Sequence, residues 1–65
     1  MKISTKELLY LEDTSKVCES IIKACTHAAN ESQDPTMKSF YQSIAQSHQQ
    51  LLTSSANFIK NTNLQ

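Results

Sequence analysis

Sixty-five residues make one domain at most, and a chain of about this size buries only roughly 60% of the surface it exposes when unfolded. It is 38% hydrophobic and 18% charged, with no Gly, one Pro, and six basic residues against six acidic ones. The zero net charge removes long-range attraction to nucleic acid or anionic lipid, and the lack of Gly with a lone Pro argues against a sheet and its turns.

The opening Met1-Lys2-Ile3-Ser4-Thr5-Lys6-Glu7 has no apolar run of signal-peptide length. The longest apolar stretch, Leu8 to Leu11, is too short to span a bilayer, so a cytoplasmic location is expected. Ser4 and Glu7 have the spacing of a capping box, with Ile3 and Leu8 placed to close a hydrophobic staple. Helix 1 should therefore span about residues 5–32. Its inward stripe is Leu8, Leu11, Ser15, Cys18, Ile22, Cys25 and Ala29, widened on one side by Tyr10, Val17, Ile21 and Ala28. A helix touching one partner needs a narrow seam, whereas a helix in a four-helix bundle touches two and needs this broader face.

Between the helices only Ser32 and Gln33 are left over, followed by Asp34-Pro35. Asp34 suits the N-cap of a second helix and Pro35 its first turn. So short a connection requires antiparallel neighbours. Helix 2 is expected over about 35–60, with a frayed tail at 61–65. Its stripe is Met37, Tyr41, Ile44, His48, Leu51, Ser55 and Phe58, flanked by Phe40, Ala45, Leu52 and Ile59. Folding back at the corner pairs residues whose numbers sum to 66: Cys25 with Tyr41, Ile22 with Ile44, Cys18 with His48, Leu8 with Phe58. All six acidic residues lie in 1–34, while 35–65 carry only Lys38 and Lys60, so a weakly basic helix lies beside a more acidic one. Exposed pairs of this kind contribute roughly 0 to 1 kcal/mol each.

The expected fold is all-α: one antiparallel two-helix hairpin that dimerises into a four-helix bundle, because two helices cannot enclose a core and small helical chains recruit a second copy, a disulfide or a metal. Cys18 and Cys25 are seven apart on one helix, roughly 10 Å along its axis, too far for a disulfide between them.

With the corner and stripes placed, the chain resembles the bacterial ferritin-like helical-bundle proteins of unknown function and, more distantly, the spore-coat F type proteins. The likeness runs from Leu11 to about Leu52. It rests on Leu11, Asp13, Val17, Cys18, Ala28-Ala29, Glu31, Asp34-Pro35, Met37-Lys38, Phe40 and Ala45. It implies a ferritin-like bundle, a second copy in place of a second hairpin, and a sporulation or coat-associated role. Di-iron members of this architecture use a Glu from each of two helices and a Glu-x-x-His motif from each of the other two. Neither helix here carries Glu-x-x-His, and helix 2 has no carboxylate beyond its cap, so the iron chemistry is not implied.

No catalytic constellation stands out, and the chain reads as a non-enzyme without a cofactor. His48 is the main oddity, lying mid-stripe beside Cys18. Two Cys18 and His48 pairs across a twofold axis would make a four-ligand zinc set, giving the alternative of a small metal-binding or redox protein. The preferred reading is a core histidine bonded to Ser15, Thr14 or a carbonyl, with Cys18 and Cys25 as small apolar fillers. His27 faces away and can pair with Glu31 one turn later. Tyr10, Phe40 and Tyr41 read as core rather than as stacking platforms for bases, since no Arg accompanies them. The expected function is a structural or protein-interaction module whose partner is itself, with no nucleic acid and no membrane. A second alternative is an adaptor that binds a helix of another protein.

Overall fold

The computed structural model describes residues 3–62 and is a hairpin of two helices, with no strand among the described residues. Helix α1 spans Thr5–Glu31 and helix α2 spans Pro35–Thr62. The pair forms a rod of 49 × 16 × 11 Å. Of the tail expected to fray, Asn61 and Thr62 continue α2, and residues 63–65 lie outside the described residues.

The helix ends are made by the side chains the sequence supplies. The Glu7 amide donates to Ser4 Oγ at 3.1 Å and the Ser4 amide donates to Glu7 Oε1 at 2.9 Å, completing the capping box. At the other end of α1 the Ser32 amide donates to the Ala29 carbonyl at 3.3 Å, and Ser32 leaves the helix in an extended conformation. No described residue has positive φ, so this corner closes without the left-handed residue that ends many helices in Gly. Asp34 then starts α2. Its Oδ2 accepts from the Met37 amide at 3.2 Å and its carbonyl from the Lys38 amide at 2.9 Å. Pro35 takes the first helical position, where an amide hydrogen would have no helical partner.

The stripe expected for α1 is the one observed: Cys18 and Ala29 are buried and Leu8, Leu11, Ser15, Ile22 and Cys25 are half-buried. On α2 the stripe differs. Tyr41, Ile44, His48 and Ser55 are half-buried as expected, but they are joined by Lys38, Ala45, Leu52 and Ile59, while Met37, Leu51 and Phe58 are exposed. The inward residues of α2 are thus spaced alternately by three and four from Lys38 to Ile59, the heptad that mirrors α1. Ile44-Ala45, Leu51-Leu52 and Phe58-Ile59 are adjacent apolar doublets, so the sequence offers two stripes one residue apart. The heptad of α1 selects the second.

The resulting core is thin. Among the described residues Cys18 and Ala29 alone count as buried hydrophobics, and no large side chain is fully enclosed. The accessible surface is 4971 Å². A compact monomer of this mass would expose about 4,200 Å², so the hairpin carries an excess of about 800 Å².

Candidate functional site

His48 sits mid-helix on the inward stripe of α2, half-buried. Its Nδ1 lies 2.9 Å from the carbonyl oxygen of Ile44, one turn back. With the proton on Nδ1 the ring donates to that carbonyl, and Nε2 becomes the ring's acceptor nitrogen. Thr14, another partner considered for this ring, instead donates its hydroxyl to the Tyr10 carbonyl at 2.8 Å. Cys18 is buried at 3% exposure and Cys25 is half-buried, both as free thiols. Their burial places them away from the open, cationic setting in which thiols react.

Among the described residues no three His, Cys, Asp or Glu side chains form a group able to hold a metal ion. One chain therefore offers at most the pair Cys18 and His48 toward a zinc site, which needs four ligands. His27 is exposed on the far side of α1. The Glu7 carboxyl is held below its ordinary value, first by the Ser4 backbone amide and second by the Ser4 hydroxyl.

The aromatic residues depart from expectation. Tyr41 is half-buried, and its ring meets Phe40 edge to face with centroids 5.6 Å apart. Phe40 itself is 55% exposed and Tyr10 58% exposed, although both read as core in the sequence. Two helices have no third layer to cover them. They belong to a set, because six of the seven large hydrophobics exposed among the described residues lie one position before an inward seam residue: Tyr10, Val17, Met37, Phe40, Leu51 and Phe58. Leu9 is the exception. An open concavity at the free end of the hairpin is lined by Ile3, Glu7, Tyr10, Leu11 and Phe58, drawing on both helices. A second follows α1 alone, past Lys16, Val17, Ser20, Ile21 and Ala24. Both are open to solvent, whereas small-molecule sites enclose most of their ligand.

No helix among the described residues is long and apolar enough to cross a membrane. No protein-family model, curated protein or solved structure matches the chain.

Proposed function

We propose that this chain is a non-enzymatic structural or protein-interaction module, and that two copies pair into a ferritin-like four-helix bundle without the di-iron ligands. The observation that carries this reading is the thin core: among the described residues two small hydrophobics are buried, and seven large ones are 40–58% exposed. These side chains are already about half covered, so completing their burial contributes about 1 kcal/mol each, and a second hairpin is the simplest way to complete it. The sporulation or coat-associated role belongs to the resemblance stated above and is part of the proposal. Open concavities and the missing Glu-x-x-His pattern favour scaffolding over chemistry.

The metal-binding reading keeps one specific support. An Nδ1–H held by a backbone carbonyl is the arrangement that orients a metal-ligating imidazole, and it leaves Nε2 to coordinate. Native mass spectrometry of protein purified without chelator tests both readings. A metal-free dimer is the expected result. A dimer carrying zinc would transfer the proposal to Cys18 and His48, and a monomer at high concentration would overturn the bundle.

A further inference from the structure

We infer that a second copy of this chain docks on one particular face of the hairpin, the face that carries Tyr10, Val17 and Ile21 of α1 with Phe40, Leu51 and Phe58 of α2. The inference rests on the pairing proposed above and assigns its surface.

The argument starts from helix geometry. Each residue advances about 100° around an α-helix, so the residue before an inward seam position is turned about 100° to one side of it. In an antiparallel pair that side is the same for both helices, because reversing the axis of one helix and its facing direction together restores the hand. Residues one before the seam of α1 and one before the seam of α2 therefore share a face. The concavity that joins Glu7 and Tyr10 to Phe58 shows the two rows meeting at the free end. Within each row the spacing again alternates between three and four: from Tyr10 through Thr14, Val17, Ile21 and Ala24 to Ala28, and from Met37 through Phe40, Ile44, Ser47, Leu51 and Ser54 to Phe58. That is the spacing a second seam uses on each helix of a four-helix bundle.

The opposite face has a different character. One position after the seam, α1 presents Glu12, Lys16, Glu19 and Lys23, and α2 presents Ser39, Gln42, Gln46 and Gln49, all exposed. Leu9, one position after Leu8, is the large hydrophobic on this side and Ala56 a small one, so the hairpin is mainly apolar on one face and mainly polar on the other.

Three features select a second copy as the occupant. The apolar rows carry a single charge, Glu7 at one end, so the face meets its own image without like-charge repulsion along its length. Its heptad spacing matches itself. The accessible surface exceeds that of a compact monomer of this mass because the chain is a rod of 49 × 16 × 11 Å, a shape that cannot enclose a core without a partner.

The test follows the oligomer by sedimentation over a dilution series. Leu51→Lys on the apolar face should raise the dissociation concentration by about 100-fold or more, since twofold symmetry places the change in the interface twice. Thr53→Lys on the polar face should leave it unchanged. Ser54→Leu, which adds an apolar group to the seam, should lower it by about tenfold and does not depend on a destabilised variant staying folded. A wild-type dimer indifferent to both Leu51→Lys and Ser54→Leu overturns the face while leaving the pairing intact. A wild-type chain monomeric at every concentration overturns the pairing and the face together.

Discussion

Replacing Asp34 by Ala should lower the melting temperature by about 4–8 °C, through one hydrogen bond and one charge at the start of α2. The Asp34 carboxylate accepts from the Met37 amide at 3.2 Å, and the first turn of α2 holds no acid of its own. Removing an Asp cap costs roughly 0.5–2 kcal/mol, and the lost charge at the helix N-terminus accounts for about 0.3–1 kcal/mol of such effects. A net loss of about 1 kcal/mol moves the midpoint of a 60- to 100-residue domain by about 4–8 °C. In a dimer both copies lose the cap while the unfolding entropy also doubles, so the shift per chain is unchanged. Circular dichroism at 222 nm, at matched protein concentration, reads the result. Asp34→Asn keeps the side-chain carbonyl as acceptor and loses only the charge, so it should fall between wild type and Asp34→Ala. An Asp34→Ala midpoint within about 1 °C of wild type would refute the capping argument. So would an Asn variant as unstable as the Ala variant, which would assign the whole effect to charge.

Ala29 is 2% exposed, so Ala29→Leu should overpack the seam near the corner and destabilise by about 1–3 kcal/mol in chemical denaturation, against less than about 0.5 kcal/mol for Ala24→Leu on the open row in dilute protein. The Glu7 carboxyl is held below its ordinary value of 4.5 in the fold, so its contribution is fully present above about pH 4.5 and is lost as pH falls through the lowered value. Glu7→Gln should remove that part of the acid dependence, and the melting curves of wild type and variant should converge in acid; curves that stay parallel down to about pH 2 would contradict the assignment. Added zinc is expected to leave the melting temperature unchanged. A zinc-dependent rise reversed by chelator and abolished in His48→Ala would instead establish the metal reading.

The parts of this fold legible in the sequence are those set by short-range chemistry. Ser4 and Glu7 have one sterically sensible use three residues apart, and both hydrogen bonds form. Asp34-Pro35 likewise combines a cap with a residue that cannot continue a preceding helix, and α2 begins there. What was not legible was the choice between equal stripes. At Leu51-Leu52 and Phe58-Ile59 either member could face inward on hydrophobicity alone, and the decision comes from the heptad of a helix on the other side of the corner. Tyr10 and Phe40 are exposed in the single hairpin for a related reason. Apolar character marks a side chain for burial, but it does not say whether the covering atoms belong to the same chain. The widening of the α1 stripe at Tyr10, Val17, Ile21 and Ala28 is the sequence signal for the open face; on α2 the matching row is divided between the two stripes. That Cys18 and His48 both face inward at mid-helix followed from counting alone, whereas the Ile44 carbonyl beside Nδ1 required coordinates.

A hairpin whose described residues include only Cys18 and Ala29 as buried hydrophobics places few jigsaw demands on its residues. Along most of its length a position asks only for an apolar or a polar side chain, and many substitutions satisfy each request. Saturation mutagenesis should accordingly find broad tolerance through most of both helices, with the sharpest losses at Cys18, at Ala29 and around the Asp34-Pro35 corner. In most small domains the interior is the part least free to vary. Here that rigidity lies at the bend, and the long arms can change letter by letter while the hydrophobic alternation survives.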